Sequence, residues 1–255
     1  MRRLQVPATS DLVLLHGGGP GVDAASNWAS VRARLAGGFR CLAPDLLGFG
    51  TRIAGTDGIE GPRAWALARA RQIVDILDRQ GLERVHVVGN SAAGGAAALA
   101  LLALAPERID RAVVMGGAGT GPLPRTVPFY DDPTEQSMRA TLARLVADES
   151  VHSGLLDELA GVRLRQALRP GAERAFRSMF ADVAGGPPPV DLTKIVNPVL
   201  ALHGERDRVS PVEVSERLAA AVPGARLEVV AGAGHWIHVD RPDEFCTLVE
   251  EFLNA

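Results

Sequence analysis

The stretch Val85–Gly95, VHVVGNSAAGG, decides how the chain folds. It opens as a valine-rich run, the composition of a buried strand, and breaks into Gly-Asn-Ser-Ala-Ala before a long run of alanines and leucines. Gly-x-Ser-x-small between a strand and a helix is the pattern of a nucleophile elbow. The serine stands on a strained turn, and its small flanks let strand and helix approach closely. A serine that merely caps a helix presents the same five residues, so the rest of the chain has to decide.

A nucleophile of this kind needs an acid and then a histidine downstream, in that order. The strand-like NPVLALHG runs into Glu205-Arg206-Asp207, and LEVVAGAG leads to His235. Both follow strands and come after Ser91, so Ser91, Asp207 and His235 are the predicted catalytic residues. His86, His152, His203 and His238 are expected to be structural. Upstream, LLHGGGPGVDAASNW (Leu14–Trp28) carries an apolar strand into a glycine loop. The loop is no dinucleotide fingerprint, because the sixth position counted from Gly17 is Val22, and no Gly-Lys-Ser/Thr follows. Glycines here serve a different need: they bring a bare backbone N–H beside a developing oxyanion. The predicted oxyanion hole is the N–H of Gly18 with that of Ala92. His16 is expected to hold the loop by hydrogen bonding, and Gly17 and Gly19 to line the substrate.

Apolar strand-like runs recur at Leu12–Leu15, Phe39–Ala43, Val85–Val88, Ala112–Met115, Val199–Leu202 and Leu227–Val230. Helical segments fall between most of them, at Asn27–Leu35, Pro62–Gln80, Ala92–Leu104 and Pro211–Ala221, with Pro242–Leu253 at the end. This alternation predicts an α/β fold, a mostly parallel sheet with helices on both faces. It breaks between about residues 121 and 190, where helices are expected at Pro133–Asp148, Leu155–Leu168 and Gly171–Phe180. Residues 1–120 and 191–255 are therefore read as the core domain and 121–190 as a helical cap inserted over the carboxyl ends of the strands.

At 255 residues and 47% hydrophobic content the chain can bury a sizeable core. A net charge of -3, with the basic residues spread along the chain, argues against nucleic acid or an anionic membrane as partner. Lys194 is the sole lysine among 27 basic residues. Cys41 and Cys246 read as small buried hydrophobes in a reducing compartment. The N-terminus has no apolar signal region, and the apolar run Ala92–Ala105 is too short to span a bilayer. A soluble, cytoplasmic protein is expected.

The chain resembles the α/β-hydrolases, and within them the meta-cleavage-product hydrolases that cut a C–C bond in 2-hydroxy-6-oxo-2,4-dienoates. The resemblance is carried by His16-Gly-Gly-Gly-Pro-Gly21, Ser26-Asn27-Trp28, Gly89-Asn90-Ser91, Gly234-His235-Trp236 and DELAGVRLRQAL (Asp157–Leu168). It implies that Asn27, Asn90, Arg163 and Trp236 surround the carboxylate and 2-oxo/hydroxy end of the substrate. Helical spacing supports Arg163 over Arg165, since Arg163 shares a face with Leu156 and Leu159 while Arg165 falls with Glu158 and Arg169. An arginine on an apolar face needs an anion; an internal acid or a snorkelling side chain would be the ordinary alternatives.

Two features depart from the family. Ala92 and Ala93 stand where Met or Leu and then Gly are usual, which predicts a roomier pocket. About ten residues precede the first core strand, so the N-terminal hairpin is expected to be shortened or absent. The resemblance implies a serine-dependent hydrolase of a small, carboxylate-bearing molecule, with no metal or organic cofactor, and a homo-oligomer. A carboxylesterase or lactonase using the same triad is the alternative, and a non-catalytic ligand-binding protein on the same scaffold is a third reading.

Overall fold

The computed structural model describes residues 10–118, 129–181 and 190–255. The expectation about the N-terminal hairpin falls on residues 1–9, outside them. The chain enters through β1 (Ser10–Leu15), whose Leu12-Val13-Leu14-Leu15 is buried completely. A strand without a polar side must be covered on both faces, and the sheet around it is central and parallel. Six described strands line up in the order β2-β1-β3-β4-β5-β6, every pairing parallel.

From β1 the chain passes through two short helices, α1 (Ala24–Trp28) and α2 (Arg32–Leu35), to β2 (Phe39–Leu42). The single helix expected over Asn27–Leu35 is thus broken. A turn at residues 29–31 lets Ser30 Oγ donate to the carbonyl of His238 at 2.8 Å, while Trp28, Val31 and Leu35 all turn inward. The long α3 (Gly61–Gln80) follows, ending on Gly81 at φ +65°, where a residue without a Cβ closes the helix at no steric cost. After β3 (Val85–Asn90) comes a π-helical turn, Ser91–Gly95, and then α4 (Ala96–Leu104) and β4 (Ile109–Met115). Helices α5 (Glu135–Ala143), α6 (Ser153–Ala167) and α7 (Ala172–Met179) occupy the stretch without strands. The last part runs β5 (Val199–Gly204), α8 (Val212–Ala221), β6 (Arg226–Val230), α9 (Ile237–Asp240) and α10 (Pro242–Leu253). The short α9 is absent from the sequence expectation.

Alternate residues of each strand feed opposite faces. Val13, Leu15, Val87, Val114 and Ala201 pack with Trp65, Ile73, Leu99, Leu101 and Leu218, which covers one face with α3, α4 and α8. Leu12, Leu14, Val88, Val113 and Leu202 pack with Trp28, Leu35, Phe245, Val249 and Phe252, which covers the other with α1, α2 and α10. A third cluster joins Met138, Leu142, Leu156, Leu159 and Ala160 of α5 and α6 to Trp236, just past β6. Trp236 therefore ties the inserted helices to the loops at the carboxyl ends of the strands, and the functional site lies at this seam. No helix among the described residues is long and apolar enough to cross a membrane.

Candidate active site

Ser91 is the one non-glycine residue among those described with positive φ, at +56°. Such a conformation costs of order 1–3 kcal/mol and persists only where the surroundings impose it. Here they do. A Cβ on Gly94 would lie 2.2 Å from the carbonyl oxygen of Leu15, and one on Gly89 would lie 2.5 Å from that of Gly94. The two glycines let β1, β3 and the π turn interlock, and the turn thrusts the Ser91 side chain out of the sheet.

His235 Nε2 lies 2.8 Å from Ser91 Oγ, and His235 Nδ1 lies 2.7 Å from Asp207 Oδ2. The carboxylate accepts from Nδ1–H, which leaves the Nε2 lone pair to accept from the serine hydroxyl. Asp207 Oδ1 in turn accepts from the N–H groups of Val209 (2.7 Å) and Ser210 (2.9 Å). Burial alone would push this carboxyl up; the charge and hydrogen bond of His235 and those two amides outweigh it and hold it below the usual carboxylate range. His203 stands behind, donating from Nε2 to the Ser210 carbonyl at 3.0 Å and accepting at Nδ1 from Ser215 Oγ at 2.7 Å. Burial lowers its pKa, so it is a neutral prop for the acid's loop.

The glycine loop faces this triad. His16, fully buried and held down at about 4 chiefly by desolvation, donates from Nδ1 to the Gly17 carbonyl at 2.8 Å and accepts at Nε2 from the Leu46 N–H at 2.9 Å. This fixes the loop's entry. The Gly17 N–H donates to Asn27 Oδ1 at 3.3 Å. The Gly18 N–H finds no acceptor among the described residues. Ala92 lies in the first turn of a helical segment, where N–H groups have no intrahelical partner. A Cβ on Gly18 would come within 3.2 Å of Ala93 Cβ, so loop and elbow nearly touch. At the tip, Gly21 at φ +63° lies so close to α6 that a Cβ would fall 1.9 Å from the Arg163 carbonyl oxygen.

Arg163 projects from α6 into the same space. It is 2% exposed, its guanidinium stacks 4.9 Å from the Trp236 ring centroid, and its Nε and Nη2 have no hydrogen-bond partner. Neither an internal acid nor a snorkelling stem satisfies it, for no carboxylate pairs with it among the described residues and it does not reach the surface. Desolvation holds it down at about 10. Asn90 Nδ2 donates to Asn27 Oδ1 at 3.2 Å, which leaves Asn90 Oδ1 and Asn27 Nδ2 buried and unpartnered. His238 Nε2 donates to the Asn27 carbonyl at 2.8 Å and orients it.

Gly17, Gly18, Gly19, Asn27, Asn90, Ser91, Ala92, Arg163, His235 and Trp236 line one cleft of about 120 Å³ that is open at its mouth, with Asp207 directly behind His235. Sequence reasoning missed the opposite wall: Met138, Thr141, Arg144 and Leu145 on and after α5, Phe176 and Phe180 on and after α7, and Val209. The spacing of Met138, Thr141 and Leu145 along one helical face was the available signal.

Among relatives, 2-hydroxy-6-oxo-2,4-heptadienoate hydrolase of Pseudomonas putida is 36% identical, matching 98% of this chain and 91% of that protein. A 2-hydroxymuconate semialdehyde hydrolase of the same species is 33% identical over 94% of this chain and 86% of that one. In structure, 2-hydroxy-6-oxo-6-phenylhexa-2,4-dienoate hydrolase from Rhodococcus sp. strain RHA1 superposes with a TM-score of 0.87 at 34% identity, covering 97% of this chain and 91% of that one. The model of the alpha/beta hydrolase family matches residues 12–248. With a serine elbow, a parallel sheet behind it and a family match over nearly its whole length, the chain belongs to the alpha/beta hydrolase family.

Proposed function

We propose that this hydrolase cleaves the C–C bond of a 2-hydroxy-6-oxo-2,4-dienoate, with Ser91, Asp207 and His235 as triad and the N–H groups of Gly18 and Ala92 as oxyanion hole. The observation that carries the substrate class is Arg163, a buried guanidinium with two unpartnered nitrogens in the same cleft as the Ser91–His235 pair. A substrate carboxylate supplies the two-point partner it lacks. Asn27 Nδ2 and Asn90 Oδ1, the other buried orphans of the cleft, suit the adjacent 2-oxo/hydroxy group as donor and acceptor. Gly17, Gly19 and Trp236 complete that end.

In this reading His235, held by Asp207, assists conversion of the dienol to its keto form. His235 then activates the hydroxyl of Ser91 or of a water, which adds to the distal carbonyl, whose oxyanion rests on Gly18 and Ala92; on the Ser91 route a water afterwards hydrolyses the acyl-serine to the acid. One such donor contributes on the order of 3 kcal/mol to the transition state. The C–C bond breaks because its electrons enter a dienolate whose carboxylate Arg163 holds, and His235 supplies the proton that completes the leaving diene. The helices of the cap expected at residues 121–190, of which 129–181 and 190 are described, close the cleft in this reading, with Met138, Leu145 and Phe176 meeting the substituent on the distal carbonyl. We further propose a cytoplasmic homo-oligomer; the free thiols Cys41 and Cys246 suit a reducing compartment, and size-exclusion chromatography with light scattering tests the assembly.

The decisive experiment incubates a 2-hydroxy-6-oxo-2,4-dienoate with the protein and with its Ser91→Ala variant, following the dienolate absorbance and identifying products. Release of a 2-hydroxypentadienoate and an acid, abolished in the variant, is expected. An unchanged band with Ser91-dependent ester cleavage would replace the proposal with an esterase.

A further inference from the structure

Arg69 is a second buried cation, and the reaction above does not use it. It stands on the apolar stripe of α3 with Trp65, Ala66 and Ile73, 3% exposed. Its guanidinium lies 5.0 Å from the Phe49 ring centroid and 4.8 Å from that of Trp65. Nε donates to the Leu47 carbonyl at 3.1 Å, and Nη2 meets Met179 Sδ at 3.0 Å. Among the described residues no carboxylate pairs with it. Desolvation holds it down at about 9, so it is charged at neutral pH. Two aromatic faces, one carbonyl and a thioether are thin compensation for a desolvated full charge.

The guanidinium borders a small chamber walled by Trp65, Met179, Gly18, Ala92 and Ala93. Gly18, Ala92 and Phe180 line this chamber and the main cleft alike, so the two spaces adjoin at these residues. Among the described residues no Asp or Glu lines either space. The chamber exists because the two residues after the nucleophile carry only methyl groups.

We propose that this chamber, with room for about one water-sized group, is a carboxylate subsite in which Arg69 receives one oxygen of the acid product formed at the oxyanion hole. The inference rests on the hydrolytic reading given above. Hydrolysis puts a hydroxyl on the distal carbonyl carbon while the C–C electron pair leaves with the dienolate. The acid so formed has one oxygen at the Gly18 and Ala92 amides. Loss of its proton to His235, and from there to solvent, leaves a carboxylate whose full charge exceeds what two amides match, and a guanidinium beside them offers a charge-assisted partner. The diene product keeps its own carboxylate on Arg163, so the two products are held by arginines on different helices and are bound together before they leave.

Acetate carrying a 13C label at its carboxyl carbon is the probe. Titrated by NMR into the full chain, it is expected to bind saturably; Arg69→Met weakens it at least about tenfold and Arg69→Lys less, with circular dichroism checking that each variant is folded. In the wild-type protein, acetate is further expected to bind when 2,4-pentadienoate saturates the Arg163 end. Absence of binding, binding unchanged in folded Arg69→Met, or complete displacement by pentadienoate each overturns the proposal. The competition arm needs no variant. Since binding is read without turnover, Arg69-dependent acetate binding in a protein that leaves the dienoate intact would sink the C–C reading and keep the subsite.

Discussion

Replacing Arg163 with methionine should make the protein more stable and nearly inactive toward dienoates. Burial holds the guanidinium down at about 10, against an ordinary value above 12. At about 1.4 kcal/mol per pKa unit, the charged form carries roughly 3 kcal/mol of unfavourable free energy in the free enzyme. For a base with a depressed pKa this cost is present at every pH below the folded value and is relieved only as pH rises through it, so it is constant between pH 6 and 9. The contact with the Trp236 ring at 4.9 Å returns about 1–2 kcal/mol. Methionine fills much of the same volume without the charge, and a net gain of about 1–2 kcal/mol follows, or roughly 2–8 °C in Tm for a chain of this size. Activity moves the opposite way. Two charge-assisted hydrogen bonds to a carboxylate amount to about 3–5 kcal/mol, a loss of roughly 10² to 10⁴ in kcat/KM. Thermal unfolding and stopped-flow decay of the dienolate band measure the two, with p-nitrophenyl acetate as an ester control that should stay within a few fold. A variant that is less stable and still turns over dienoate within tenfold of wild type would refute the assignment of Arg163 as an unsatisfied anion receptor.

Three further outcomes follow from the same geometry. Asp207→Asn should lower kcat by about 10³ to 10⁴, because an amide no longer fixes His235 with its Nε2 lone pair toward Ser91. Since the Asp207 carboxyl is held below its ordinary range, its contribution to stability is fully present above pH 4 or so and is lost as pH falls through the folded value; urea melts from pH 7 to 3 should show a shallower acid decline in the variant. Ser91→Gly should abolish turnover yet raise stability by about 1 kcal/mol, seen as an upward shift in Tm, because glycine relieves the strain at φ +56°. Gly94→Ala should cost more than about 3 kcal/mol or prevent folding, read by expression and denaturant midpoint, since its Cβ would stand 2.2 Å from the backbone oxygen of Leu15.

Much of the sheet was legible because a parallel strand buried on both faces needs little context. Runs such as Leu12–Leu15 and Val199–Leu202 cannot be stable anywhere but between two layers, and each of these two became a strand longer by two residues at one end. The hydrogen-bonded grouping of Ser91, His235 and Asp207 was legible because its order in the chain is imposed by the topology: the serine after β3, the acid after β5 and the histidine after β6. Asn27–Leu35 was not, because the break at residues 29–31 answers to the carbonyl of His238, 208 residues away. The π turn at Ser91–Gly95 answers to the close approach of β1, which local propensity does not encode. The far wall of the cleft stayed hidden for a similar reason, since Met138, Phe176 and Val209 come from three separate elements and share only a cavity.

The two buried arginines show where such reading can go further. The family resemblance implied Arg163, and helical spacing supported it over Arg165 because Leu156 and Leu159 share its face; the same test applied to α3 puts Arg69 in line with Trp65, Ile73 and Leu77, all buried. On an exposed face an arginine says nothing, and most of the arginines in this chain lie on such faces. On an apolar stripe the side chain must either reach water or be compensated, and on α3 and α6 the compensation within the protein falls short by a carboxylate each time. The two cations line two adjoining spaces that share Gly18, Ala92 and Phe180. A reaction that splits one molecule into two acids has a use for both, whereas cleavage of a simple ester leaves the unpartnered nitrogens of Arg163 without an anion; Arg163 therefore argues for the substrate class independently of the triad.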